Sequence, residues 1–447
     1  MPTQIGFEYR LQTGLHSNSH PQETNSFSSI IQLDGVKPLR VRFAAAHLGK
    51  ASSILLTSLK DGQQHRLDTE VLKAWGNISA MLNGNAVRMD LLVAPGDEGV
   101  FAEVDSVIWP MLNSVSPDRG PNGPALATLC GDDNRVPSSD NRVGRIPGCT
   151  AWLISNGAVL CAGHCTDNNG NLSGSFEVNV PASDSDGSPN AAAVADQFPI
   201  NTGSVQWGNG SVTGDDWCVF GLNANSLGEN AHLKFGFFRV SQANPGTDAT
   251  VRITGFGVDN TPTGSSANAC CSQNSSGTCT HRGCNSRNRT QQTGTGDLDN
   301  LNTDGAARYW NYDADTEPAN SGSPIIWTAT GFTIGIHTTG NCTAGSDNYG
   351  TAFAFAPLAN AMNSFPGGIP RYMDNTSYPG VLVRDGNIFR PFQTLSEAYS
   401  TAPNNATVHV VEGTFPKSRA GNVTTIGSGS SKTVTFRAPV GRVHVGE

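Results

Sequence analysis

Cys149-Thr150-Ala151-Trp152-Leu153-Ile154-Ser155-Asn156-Gly157-Ala158-Val159-Leu160-Cys161-Ala162-Gly163-His164-Cys165 is the stretch whose reading decides the fold. Two apolar runs flank Asn156-Gly157, a dipeptide whose residues tolerate the positive φ of a tight turn. The pattern predicts paired strands that deliver His164 at a strand end. Cys149 and Cys165 flank the hairpin, near enough across it to be bridged. A lone histidine is more often structural than chemical, so the role of His164 depends on its company.

Two later segments supply that company. In Gly214-Asp215-Asp216-Trp217-Cys218-Val219-Phe220 an acid runs straight into an apolar strand. A carboxylate at the edge of a core needs a partner, and the imidazole N–H of His164 fits that need. Asp216 is the better placed of the two acids, with Asp215 the alternative; a turn-capping Asp is the bland reading. The third segment is Asp315-Thr316-Glu317-Pro318-Ala319-Asn320-Ser321-Gly322-Ser323-Pro324-Ile325-Ile326. Alone, Ser-Gly-Ser-Pro is usually just a turn. In the order His, Asp, Ser, the three segments hold a base, its orienting acid and a hydroxyl to activate.

Together these motifs resemble the chymotrypsin-like serine proteases, over about half the chain. The resemblance implies a mainly β protein with a double β-barrel protease domain at 148–365. It implies catalytic roles for His164, Asp216 and Ser321, and an oxyanion hole from the backbone N–H groups of Ala319 and Ser321. It needs no cofactor and no metal. One departure stands out: the family normally has Gly where this chain has Ala319, in a geometry that a Cβ resists. Ile334-Gly335-Ile336-His337-Thr338-Thr339-Gly340 resembles the pocket segment of the bacterial glutamyl endopeptidases. On that likeness Thr316, His337 and Gly340 bind substrate, with a preference for Glu or Asp before the scissile bond. A histidine satisfied by a backbone carbonyl is the bland alternative, and an Asp315 side chain entering the pocket would favour Lys or Arg instead. Family members usually carry small hydroxyl or apolar residues where this chain has Cys161 and Cys218. The joint change suggests a disulfide bracing the acid and base; two independent buried thiols are the alternative.

Length and composition bound the remainder. A chain of 447 residues is too long for one ordinary core. With 51 Gly and only 15% charged residues it reads as globular, loop-rich and mostly β. Its net charge of −9 argues against a nucleic-acid partner, and no apolar run approaches the roughly eighteen residues of a membrane span. A monomer acting on protein or peptide substrates is the expectation. Ten cysteines point to a disulfide-permissive, secreted protein, although residues 1–11 carry no visible signal peptide. Cys270, Cys271, Cys279 and Cys284, with Cys130 and Cys342, read as three further bridges rather than a zinc knot.

Residues 1–115 read as a small β-sandwich: strands at 51–59 and 86–93, a helical patch at 69–75 and a hairpin turn at Asn83-Gly84. Its role is open between propeptide, substrate-binding module, folding aid and spacer. Residues 116–147, punctuated by Pro117, Pro121, Pro124 and Pro137, read as a linker where a zymogen would be cut. Beyond Pro366-Gly367-Gly368, residues 366–447 resemble the opening coil of pectate-lyase-type parallel β-helices, as a stub too short to stack many rungs. No carboxylate cluster for cleaving polysaccharide is legible there. The flanking modules and Ala319 motivate the rival readings, a catalytically impaired protease-fold binding protein or a surface adhesin.

Overall fold

The structure is a computed structural model. It describes residues 4–110, 129–130, 133–259, 272–273, 279–281, 285–342, 347–365, 371–415 and 432–445. Residues 116–128 and 131–132 of the expected linker, the Pro366-Gly367-Gly368 boundary and Cys270, Cys271 and Cys284 of the expected knot lie outside the described residues. The end of the expected linker is strand instead, because Val136–Pro137 pairs with Gln292–Asp304 and Val143–Ile146 completes the first barrel.

Apolar runs separated by turns close the first barrel. Its six antiparallel strands run in the order Cys149–Leu153, Val159–Cys161, Asp216–Leu222, Gln197–Asn209, Ser175–Glu177 and Val143–Ile146, which pairs back with the first. The Asn156-Gly157 turn sets the register of the first two, Trp152 opposite Leu160 and Leu153 opposite Val159, with Gly157 at φ +83°. Leu153, Phe176, Phe198 and Phe220 fill the interior with no exposed surface.

A second ring follows: Ala249–Gly255, Pro324–Trp327, Thr333–Thr339, Asn348–Ala352, Ala307–Tyr312 and Gln292–Asp304, which closes on Ala249–Gly255. Val251, Ile253, Trp310, Tyr312 and Ile325 fill it. Trp152, Val219, Phe238 and Phe353 form a third core with the helix Ala356–Ser364. The chain is mainly β, with two six-stranded barrels.

Ahead of the barrels, two antiparallel sheets share one core. One orders Ile5–Gln12, Phe101–Trp109 and Arg40–His47; the other orders Thr24–Gln32, Ala86–Val93, Ser53–Ser58 and Gln64–Leu67. The helix Thr69–Ala74 starts where the Asp68 side chain accepts from Val71 N. The Asn83-Gly84 hairpin does not form. Ser79 N and Leu82 N donate to Val41 O and Leu39 O, so the arm before the turn joins the other sheet. The strand after it, Ala86–Val93, pairs with Thr24–Gln32 and Ser53–Ser58.

This N-terminal part sits on the first barrel. Gln197 donates to Met81 O and accepts from Met81 N, both at 2.9 Å, and Val194 enters the N-terminal core. Beneath that seam lies a fully buried ion pair, Arg145 Nη2 to Glu177 Oε2 at 3.0 Å. At the other end Arg371–Met373, Ala406–Phe415 and Val434–Val445 form a parallel sheet. The helix Leu395–Thr401, capped by Thr394, packs on it through Leu395 and Ala398.

Candidate active site

His164 lies in a single tight turn, Gly163–Cys165, directly after the strand Val159–Cys161. The turn needs its glycine: a Cβ on Gly163 would lie 1.9 Å from Gly208 O. Asp216 is the first residue of the facing strand Asp216–Leu222. Its carboxylate grips the histidine twice, Oδ1 accepting from His164 N at 2.9 Å and Oδ2 lying 2.6 Å from Nδ1. Both side chains are nearly buried, at 6% and 9% exposed. Two-point contact fixes where the ring sits and how it is turned, and it places the imidazole proton on Nδ1. The neighbouring Asp215 accepts from Trp217 Nε1 at 3.2 Å instead, so Asp216 is the acid that meets the histidine.

Ser321 belongs to a loop held from several sides. Thr150 N donates to Ser321 O at 2.9 Å, Gly322 N to His337 O at 2.8 Å and Ser323 N to Asn320 O at 2.8 Å. Cys165 Sγ, next to His164, lies 3.8 Å from Ser321 O, so the loop abuts the histidine turn. Gly322 has φ +92°, and a Cβ there would meet Thr150 O at 2.1 Å. Ala319 is wholly buried and sits at φ +78°. That left-handed conformation is the one a Cβ resists, at a cost of about 1–2 kcal/mol, yet the loop adopts it.

Beside this loop, His337 occupies the strand Thr333–Thr339 and is 1% exposed. Its Nδ1 lies 2.6 Å from Tyr312 Oη. Burial, reinforced by His164, pushes its pKa down to about 3, so the ring is neutral. Thr316 Oγ1 is 3.2 Å from Asn348 Nδ2, and Gly340, buried, follows the His337 strand. The Asp315 carboxylate accepts from Cys130 N and Asn134 N, both at 2.7 Å. Burial holds its pKa above the ordinary carboxylate range.

Among the described residues two cysteine pairings are made, Cys149–Cys165 and Cys130–Cys342. The bridge expected between Cys161 and Cys218 is not: both are free, buried thiols. They stand directly opposite each other on paired strands. Such neighbours have Cβ atoms about 4.5–5.5 Å apart, wider than the roughly 3.8 Å typical of a disulfide. Burial raises the Cys161 thiol pKa well above its ordinary value. Among the described residues, Cys149, His164 and Cys165 cluster closely enough to suggest a metal site, but the two sulfurs are bonded to each other.

Sequence reasoning missed the supporting residues. Thr150 lay inside the deciding stretch and read only as strand. Tyr312 and Asn348 carried no motif, since their partners His337 and Thr316 are brought to them only by the closing of the second barrel. Nothing local could have shown them.

The family model described as Trypsin matches residues 138–362, just over half of the chain. No curated protein matches it. Among solved structures, a Glu endopeptidase in complex with MPD is 20% identical, with a TM-score of 0.38 over 53% of this chain and 98% of that one. Protease Anisep from Arthrobacter nicotinovorans is 14% identical, with a TM-score of 0.33 over 49% and 93%. The thermostable serine protease AL20 from an extremophilic microorganism is 13% identical, with a TM-score of 0.33 over 48% and 93%. The matched span runs through both barrels and contains the histidine turn, its buried carboxylate and the loop of Ser321, and on that match the chain belongs to the trypsin family.

Proposed function

We propose that the chain is a secreted serine endopeptidase that cleaves peptide bonds through an acyl-enzyme. The observation that carries this reading is the two-point grip of Asp216 on His164, with the Ser321 loop pinned alongside. With its proton held on Nδ1 toward the carboxylate, the ring accepts the Ser321 proton at Nε2 and returns it to the leaving amine. Water then releases the acyl group by the reverse path. The N–H groups of Ala319 and Ser321 receive the oxyanion.

Cleavage after Glu or Asp is the preferred specificity. Tyr312 Oη lies 2.6 Å from His337 Nδ1 and donates to Tyr349 O at 3.1 Å, which fixes the ring in its strand, and the likeness of Ile334–Gly340 to the pocket segment of the glutamyl endopeptidases supports the preference. The carboxylate of Asp315, engaged by two backbone N–H groups, is spent on the protein's own chain, which weighs against a Lys or Arg preference. The two disulfides support an oxidising compartment, and no helix among the described residues is long and apolar enough to cross a membrane. Residues 1–115 are read as an accessory β-sandwich and residues 366–447 as a β-helix-like stub, a reading supported by its parallel strand pairing.

A protease-fold binding protein with an impaired centre is the second reading, and strained Ala319 is the observation behind it. Fluorophosphonate labelling separates the two. The full chain is expected to react at Ser321 and to cut a peptide library after acidic residues, while Ser321→Ala does neither. Hydrolysis that persists in Ser321→Ala would overturn the nucleophile.

A further inference from the structure

We propose that Thr150 is the positioning residue of the oxyanion loop, its buried hydroxyl clamping the Ala319 peptide in the left-handed form. The inference rests on the reading of Ala319 and Ser321 as the oxyanion donors.

The geometry leaves the hydroxyl one orientation. Phe256 N donates to Thr150 Oγ1 at 2.9 Å. The single hydroxyl hydrogen is therefore directed at its other neighbour, Ala319 O, 3.0 Å away. The same residue's backbone N–H holds Ser321 O at 2.9 Å. One residue thus grips the carbonyls on both sides of the Asn320 linkage. Two positions after Phe256, Val258 N donates to Pro318 O at 2.9 Å. In a trans peptide the carbonyl and the following N–H point in opposite directions. Binding Pro318 O on the Val258 side therefore sends the Ala319 N–H the other way. Thr150 and the 256–258 segment lock successive peptides of the loop, and a flip of either breaks a buried bond.

Ala319 explains why such a clamp is needed. Glycine visits positive φ freely, whereas an alanine held at +78° gives up roughly tenfold in population to the right-handed form. A hydrogen bond available only in the left-handed form returns a factor of similar size. Thr150 is wholly buried, so its hydroxyl meets no competing water.

The test is a double-mutant cycle in the full chain, read by peptide hydrolysis, by the rate of fluorophosphonate labelling and by thermal unfolding. Thr150→Val is expected to lower kcat at least tenfold, toward the roughly 10²–10³ that a lost oxyanion donor costs, with KM within about twofold. Thr150→Ser keeps the hydroxyl and restores most of the rate. The effect of Ala319→Gly on kcat is expected to be about tenfold more favourable in the Thr150→Val background than in the wild-type background, because Gly needs no clamp. A merely structural threonine would not be rescued in this way. Independent effects of the two substitutions, or a folded Thr150→Val with wild-type kcat, would overturn the proposal while Ser321 labelling still stands. Should wild type fail to label, the oxyanion reading falls. The clamp is then read from melting temperatures, where Ala319→Gly must raise Tm more in Thr150→Val than in wild type; equal shifts sink it. If Val at 150 prevents folding, Thr150→Ala in the same cycle measures the same coupling.

Discussion

Acid should unfold this protein through two histidines that the fold keeps neutral. His337 and His65 are 1% and 0% exposed, and each has its pKa pushed down to about 3, by burial first, with His164 and Arg40 adding to it respectively. At His65 the structure shows why the neutral ring is favoured: Ala80 N donates to Nδ1 at 2.9 Å, and protonation there would expel that bond. Below pH 6.5 the unfolded chain takes up a proton that each folded ring refuses, so stability is intact above 6.5 and falls as pH drops toward 3. The slope is about 1.4 kcal/mol per pH unit for each ring. From pH 6.5 to 4.5 each therefore removes about 2–3 kcal/mol, a large share of the roughly 5–15 kcal/mol of an ordinary domain. The two rings lie in different parts of the fold, so urea unfolding at pH 7, 6, 5 and 4.5 is followed as separate N-terminal and barrel transitions. His65→Gln, whose side-chain oxygen can still accept from Ala80 N, is expected to flatten the pH slope of the N-terminal transition and leave the barrels' slope alone. Asp97, held at about 2 by backbone N–H groups, loses its contribution only below this window. Asp299, raised to about 6 by burial and four nearby carboxylates, acts with the opposite sign and cancels between wild type and variant. Equal slopes in His65→Gln and wild type would refute the reasoning.

Asp216→Asn keeps the side chain's shape but removes the carboxylate that holds Nδ1–H, and kcat is expected to fall by about 10⁴ in steady-state hydrolysis. Gly322→Ala forces a Cβ to within 2.1 Å of Thr150 O and 2.9 Å of Cys161 Cβ at φ +92°; a loss of about 3 kcal/mol or more, seen as a lowered denaturant midpoint, is expected. Replacing Cys149 and Cys165 together by Ser opens a loop spanning 16 residues and should cost about 3 kcal/mol, measured against wild type under non-reducing conditions.

Local pattern carried a good part of this molecule. Apolar runs around Asn156-Gly157 marked two strands and the turn between them, because strand burial and turn geometry are written in neighbouring residues. The acid ahead of Trp217 and the Ser-Gly-Ser turn were legible for the same reason: each places a polar group where a core begins, and such a group must have a purpose. Contacts between distant strands left no such trace. Thr150 holds Ala319 and Ser321 across a separation of about 170 residues, and Tyr312 meets His337 only because two strands of the second barrel bring them together. Cys161 and Cys218 show the limit from the other direction: sequence put them on facing strands, but whether two sulfurs bond depends on a fraction of an ångström in backbone spacing. Asp315 does too, since only the tertiary structure decided that its carboxylate serves the chain's own N–H groups. Residue identity determines what each group can do; the register of strands far apart in the chain decides which group it does it to.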